Sequence, residues 1–543
     1  LEKVSSFTSF MDLTGCRRPE RAVAAQKLVN NRVVRYIHFD IFARPIRKAL
    51  PVKYVAGALL SSIRLDRTLR RSLSVQLYMA LRDMILSGAL RAGQRLPATR
   101  TLAKEVGVSR TTVIDAVDRL VAEGMMVSRI GAGTYVSDML ESQNVGSPPR
   151  QGAGSGGQQP RLSYVISHAQ ETYARRAWLP HKPRAFVTAL PALDAFPMAH
   201  WARLSAKHLR GGRGGVMGYG QPKGLFALRQ AIATHLSALK GIRCDPEQVF
   251  ITSGAQHAFS LIGRLLLNPG DRVWMENPGA SGARNALLSE GAELVPVDVD
   301  TQGMVVSDGL AKAPHFRLAF VTPSHQQPLG HVMSLSRRLE LLQAAERARA
   351  LIIEDDYDGE FYFGNSPHPA LHGVDVNGRV LYVGTFSKSL FPSLRLGFVL
   401  VPERMVAAFD GMFNTWTSGP STATQAIVAE FMDEGRFATH IRLMRQLYKA
   451  RYEALLEAAR SLPESIRLQE TSSGFHTPAL LDARLDEAQV VGQAAQKGVT
   501  LAPLSRYCLT PIPQSGLVFG FGCATPEDIA RGIGILRELP ALR

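Results

Sequence analysis

Helical patterns alternating with short apolar strands beyond residue 160 predict an α/β domain on a largely parallel sheet, preceded by a smaller unit of helices closed by a hairpin. Two observations carry this. Apolar runs at 248–252, 272–276, 318–321, 350–354 and 379–383 are separated by longer stretches of helical spacing. Between the two units, residues 138–160 turn rich in Gly, Ser, Gln and Pro, the composition of a flexible linker. Length agrees, since 543 residues exceed the roughly 250–300 at which one core stops growing.

Composition narrows the class. A hydrophobic share of 45% and a charged share of 20% are those of an ordinary globular chain. No apolar run approaches the roughly 18 residues of a membrane span, so no membrane partner is expected. Cys16, Cys244, Cys508 and Cys523 show neither CxxC nor His-paired spacing. No metal site or disulfide framework is therefore expected, and a reducing, cytoplasmic setting fits. The net charge of +17 is compatible with a polyanionic partner. Much of it lies in residues 1–73, with fifteen Lys or Arg against five acids. Residues 1–72 lack periodicity and read as a basic, unstructured extension rather than a transit peptide.

The first domain is expected over 73–137. Leu77, Leu81, Met84 and Ile85 mark one helical face. Leu102, Ala103 and Val106 mark a short second helix that Gly107 closes. Ser109 caps a third, with Val113, Val117, Leu120 and Val121 inward. The outer start of that helix, Ser109, Arg110, Thr111 and Thr112, sets a guanidinium and three hydroxyls beside free amides, a combination suited to phosphates and base edges. Residues 126–130 and 134–137 flank Gly131-Ala-Gly133 and read as a two-stranded wing. Taken singly, these features equally describe an ordinary three-helix packing unit. Together, Leu96-Pro-Ala-Thr-Arg-Thr-Leu-Ala, Gly107-Val-Ser-Arg-Thr-Thr-Val and Gly131-Ala-Gly-Thr-Tyr-Val closely resemble the GntR-type winged helix-turn-helix over 73–136. The resemblance implies that Arg100, Ser109, Arg110, Thr111, Thr112 and Gly133 face double-stranded operator DNA.

The second domain is expected over 161–543. Lys388 follows a buried strand, with hydroxyls at Thr385 and Ser387 and a guanidinium at Arg395. That setting suits a Schiff-base lysine, although a loop lysine is the commoner fate of a single Lys. Glu354-Asp-Asp-Tyr-Asp follows another apolar strand, so its acids emerge at the carboxyl edge where α/β ligands bind. Asp355 is the natural partner for a pyridinium nitrogen and Tyr357 for a phenolic oxygen; a metal site or a charged turn would read similarly. Ser253, Gly254 and Ala255 join a strand to a helix start, an arrangement that presents amides to a phosphate.

With Tyr219-Gly-Gln-Pro-Lys-Gly and Thr322-Pro-Ser-His-Gln-Gln-Pro-Leu-Gly, these strings resemble a fold-type I PLP-dependent aminotransferase-like domain, specifically the MocR/GabR group, over about 191–542. The resemblance implies pyridoxal 5'-phosphate on Lys388, with Asp355 at the ring nitrogen and Tyr357 at the phenolic oxygen. It also implies Ser253, Gly254, Ala255, Thr385 and Arg395 around the phosphate. Tyr219 would arrive from a second subunit, hence a homodimer. Two positions depart from the pattern. Ala280 stands where the family has an aromatic packed on the cofactor, and Gln327 where it commonly has Phe and aminotransferases have Asn. Arg506 matches the position expected to bind an effector carboxylate. The function implied is a transcriptional regulator sensing free pyridoxal phosphate, an amine or an amino acid. Its alternatives are an active aminotransferase carrying a DNA-binding appendage and a domain kept only for dimerisation.

Overall fold

The computed structural model describes residues 60, 63–129, 131–138, 163, 166–167, 173–174, 184–211, 213–364 and 367–542. Its contacts divide the chain into two compact units, Leu1–Gln158 and Gln159–Arg543.

In the first unit, α1 (Leu73–Leu86), α2 (Thr99–Val106) and α3 (Arg110–Ala122) precede the antiparallel strands β1 (Met126–Arg129) and β2 (Gly133–Val136). α1 buries Leu77, Leu81 and Ile85, one residue per turn. Gly107, at φ 73°, ends α2 in the left-handed region. α3 buries Val113, Ala116, Val117 and Leu120 against them. Leu96 N donates to Thr134 O and Val136 N to Gln94 O, so the segment before α2 pairs with the wing.

The extension expected over 1–72 needs correction at its far end. Leu60 is fully buried in this core, and Ile63 and Leu65 pack against it. Gln76 ties the segment down, accepting from Asp66 N at 2.9 Å and donating to Asp66 O at 2.8 Å. Three apolar residues within a basic run are too few to show a period, so no pattern marked them in advance. Residues 1–59 and nearly all of the expected linker lie outside the described residues.

The second unit is built on an eight-stranded sheet of order β3-β10-β9-β8-β7-β4-β5-β6. Its strands are β3 (Val249–Thr252), β4 (Arg272–Asn277), β5 (Glu293–Asp300), β6 (Gly303–Met304), β7 (Leu318–Val321), β8 (Leu351–Asp356), β9 (Val380–Thr385) and β10 (Gly397–Leu400). The run from β9 to β5 is parallel; β10 is antiparallel to both β3 and β9, and β6 to β5. Alternate residues enter different cores. Val273, Met275 and Ile353 join one cluster, Trp274 and Ile352 another. Apolar side chains cover both faces, so these strands read as unbroken apolar runs. A second, antiparallel sheet has the order β11 (Ile466–Leu468), β12 (His476–Leu481), β14 (Gly516–Gly520), β13 (Ala502–Pro503).

Topology assembles the site. Gly397, at the start of β10, pairs with both Thr252 and Thr385, at the ends of β3 and β9. The turns at 253–255 and 386–388 and the residues before Gly397 therefore meet at one sheet edge. A side chain at Gly397 would come within 3.0 Å of Gly254 Cα, so glycine permits the approach.

Candidate functional site

At that edge, β9 ends in Thr385, whose side chain accepts from Ser387 N at 3.2 Å and starts the one-turn helix carrying Lys388. Lys388 Nζ donates to the Ala189 carbonyl at 2.6 Å. A cavity is lined by Lys388, Tyr357, Gln327, Thr188, Ala189, Phe475, His476 and Tyr507. The sequence strings thus bring Lys388, Tyr357 and Gln327 together. Arg506 lies outside that lining, in the same short turn as Tyr507.

The acidic block that read ambiguously is sorted by its partners. Glu354 accepts from Leu371 N and His372 N, both at 2.7 Å. Asp356 forms a buried ion pair with Lys240 at 2.6 Å and accepts from Tyr382 at 2.7 Å. Asp358 is 3.0 Å from His325 Nδ1. Of the four, Asp355 alone keeps a buried oxygen, Oδ1, with no hydrogen-bond partner among the described residues. Burial, then the neighbouring Asp356 and Asp358, pushes its pKa well above the usual carboxylate range, with Lys388 opposing. A buried carboxyl without a partner is costly, and a ring N–H is the group that would satisfy it.

Tyr357 donates to the His325 carbonyl at 3.0 Å, and its hydroxyl lies 3.1 Å from His325 Nδ1. His325 Nε2 is 3.3 Å from Thr471 Oγ1. Although His325, Asp358 and His476 bring ligand-type atoms within 4.8 Å of one another, both nitrogens of His325 are thus engaged in a hydrogen-bonded chain.

The residues expected around a phosphate lie close together at this edge. A twelve-residue helix, α4 (Ala255–Leu266), begins directly after Gly254, which sits at φ 97° and supplies no side-chain cap. A Cβ added at Gly254 would stand 3.9 Å from the Arg395 guanidinium, with nothing nearer. It would fill the gap between the helix amides and that cation. The Ser253 amide is not open, because it donates to His257 Nδ1 at 3.1 Å. The lysine, the acid with an unmatched oxygen, the tyrosine and the amide-and-guanidinium gap fit pyridoxal phosphate. Tyr219 is fully exposed in the single chain. Ala280 is buried, and next to it Gly279 N donates to the carbonyl of Tyr507, a residue that lines the cavity.

Sequence reasoning missed Thr188, Ala189, Phe475, His476 and Tyr507 as lining residues. They come from distant segments with no shared motif, and only the topology joins them.

In the first unit, Ser109 caps α3, accepting from Thr112 N at 3.2 Å, and its hydroxyl is 2.8 Å from those of Thr111 and Thr112. Arg100, Ser109, Arg110 and Thr111 are exposed, and Thr112 is half-buried. Gly133, at φ 107°, leaves room for Arg95, which a Cβ would meet at 2.8 Å. Arg95 and Arg129 flank the Tyr135 ring, at 6.0 and 5.3 Å from its centroid. These two arginines add positive charge to the wing and were not singled out from sequence.

Fold and sites together define a protein with a winged-helix DNA-binding unit and an aminotransferase-like unit in one chain. Residues 73–136 match the bacterial regulatory proteins of the gntR family, and residues 191–510 match aminotransferase class I and II. The probable rhizopine catabolism regulatory protein MocR of Rhizobium meliloti is 41% identical over 480 residues, 87% of this chain and 95% of its own. The HTH-type pyridoxine biosynthesis transcriptional regulator PdxR of Corynebacterium glutamicum is 30% identical over 468 residues, 85% and 94% of the two chains. The crystal structure of kynurenine aminotransferase from Pyrococcus horikoshii superposes with a TM-score of 0.62 at 26% identity, over 72% of this chain and 96% of its own. The chain belongs to the MocR-type family of DNA-binding transcriptional regulators. No helix among the described residues is long and apolar enough to cross a membrane.

Proposed function

We propose that this regulator holds pyridoxal 5'-phosphate on Lys388, senses an amine, an amino acid or the free cofactor in the adjoining cavity, and changes its hold on operator DNA in response. The observation that carries this reading is the unmatched buried oxygen of Asp355, a carboxyl whose raised pKa the nearby Lys388 opposes. When bound, the cofactor supplies an electron-poor ring whose link to a lysine amine exchanges with other amines. Lys388 provides the amine that anchors it, and Asp355 holds a proton at the ring nitrogen. The Tyr357 hydroxyl orients the ring, while Gly254, Ala255, Ser253, Thr385 and Arg395 gather on the phosphate. The full exposure of Tyr219 supports its reaching the phosphate of a second subunit in a homodimer. Arg506, beside the lining, is the cation for a carboxylate-bearing effector.

Steady-state transamination and operator binding, measured on one preparation with a panel of amines, test this reading. Amine-dependent operator affinity with little turnover is the expected result. Turnover with unchanged DNA binding would make the protein an aminotransferase with a DNA-binding appendage. Lys388→Ala is expected to abolish borohydride trapping of the cofactor on the chain, and trapping on another lysine would refute the assignment.

A further inference from the structure

We propose that His476 sets the specificity of the cavity, its Nε2 accepting a hydrogen bond from an uncharged donor, a hydroxyl or amide N–H, carried by a primary-amine effector. This rests on the sensor reading above.

His476 opens β12, is 4% exposed and lines the cavity. Its Nε2 has no hydrogen-bond partner among the described residues. The Pro328 backbone faces the ring and favours its protonated nitrogen. A proline backbone has only a carbonyl to offer, an arrangement that favours the proton on Nδ1 and leaves the buried, unpartnered Nε2 as a lone pair. The ring is held in place. Its centroid lies 4.7 Å from that of His325, at 51°, and 6.2 Å from that of Tyr357, at 26°. Gly474 makes this packing possible, since a Cβ there would overlap His325 at 2.2 Å.

Burial, reinforced by the neighbouring His325 and Lys388, holds His476 well below the ordinary imidazole pKa, so it stays neutral at neutral pH. A neutral acceptor has no attraction for a carboxylate, and facing a methyl group it would remain unmatched. Sites built to bond a hydroxyl or N–H reject analogues that lack it for this reason. Among the described residues Lys388 is the sole cation in the lining, and Thr188, Gln327 and Tyr507 are polar but uncharged. The amine end of an effector therefore belongs at Lys388 and its neutral donor at His476. A metal held by His476 with His325 is disfavoured, because the His325 nitrogens already face Asp358, Tyr357 and Thr471.

The test titrates full-length, cofactor-loaded protein with aminopropanol and with butylamine, which differ by a hydroxyl in place of a methyl. Visible absorbance of the cofactor and operator affinity are both read. Wild type is expected to half-saturate at about tenfold lower aminopropanol than butylamine. His476→Phe should bring the two within about twofold while keeping the cofactor's absorbance. His476→Gln, which retains a carbonyl acceptor, should keep most of the preference. Equal half-saturation in wild type, or an unchanged ratio in His476→Phe, overturns the proposal and leaves Nε2 as the seat of a structural water. Should His476→Phe not fold, the wild-type ranking and His476→Gln decide. If neither amine alters absorbance or operator affinity in wild type, the sensor reading itself has failed, and this proposal with it.

Discussion

Asp355 and its three acidic neighbours lie within five residues, yet each meets a different fate. Glu354 receives two backbone amides, Asp356 an ion pair and Asp358 a histidine, while Asp355 keeps a bare oxygen. The sequence marked the block but could not rank all its members, because the partners arrive from Lys240, Tyr382 on β9, the 371–372 turn and His325. Asp355 has a measurable linkage. Its pKa is raised in the folded chain, so without cofactor the folded state binds more protons than the unfolded one above the ordinary carboxylate value. Stability from this group is therefore lost as pH rises from there toward the raised value. Asp355→Asn removes the buried charge. Cofactor-free Asp355→Asn should melt at or above wild type, with the difference growing as pH rises above the ordinary carboxylate value, while its affinity for pyridoxal phosphate falls. A variant that melts lower at pH 8 and binds cofactor normally would show that Asp355 serves the fold alone.

Elements were more legible than single contacts, for reasons of periodicity. α1 and α3 announce themselves by apolar spacing and by the Ser109 cap, and the parallel strands by apolar runs buried on both faces. The antiparallel sheet of β11 to β14 was not read. Its strands include short ones of two and three residues, and Pro478 sits within β12. With it went His476. The exposed start of α3 carries a direct prediction for DNA. Arg110→Ala is expected to weaken operator binding by about 1–3 kcal/mol if the guanidinium reads a base, or to reduce the salt slope by about one phosphate if it does not. Unchanged affinity and slope would remove Arg110 from the interface. The buried Leu60 makes a second. A chain begun near Ala58 should keep the melting temperature and operator specificity of the longer one, losing only salt-sensitive nonspecific affinity. One begun at Leu73 forfeits Leu60, Ile63 and Leu65 and should melt several degrees lower. Equal melting of both would show that the contact adds nothing.

For the whole molecule, the proposed sensing requires that an event at Lys388 reach α3. Residues 138–160 have the Gly-, Ser-, Gln- and Pro-rich composition expected of a linker. Coupling then requires two states of the protein that differ in operator affinity, and an effector shifts them only by its own difference in affinity between the two. A tenfold change in operator affinity needs about a tenfold preference of the effector for one state, and operator DNA must raise effector affinity by the same factor. A cofactor already in place contributes to both states, so the discriminating contacts must come from groups that touch the effector. Arg506 is the candidate for an effector with a carboxylate, since it adjoins Tyr507 in the lining and its charge acts on that hydroxyl. Arg506→Ala should keep cofactor absorbance and basal operator binding, because Arg506 belongs to neither the cradle nor the winged helix. It should lose the shift in operator affinity that β-alanine produces while responding to aminopropanol as wild type does. Titrating operator DNA with each protein, fully loaded with cofactor, at several concentrations of each amine makes the comparison. An equal β-alanine response in both would eliminate Arg506 as the sensing cation. The signal would then have to come from the rest of the cavity or from free pyridoxal phosphate itself.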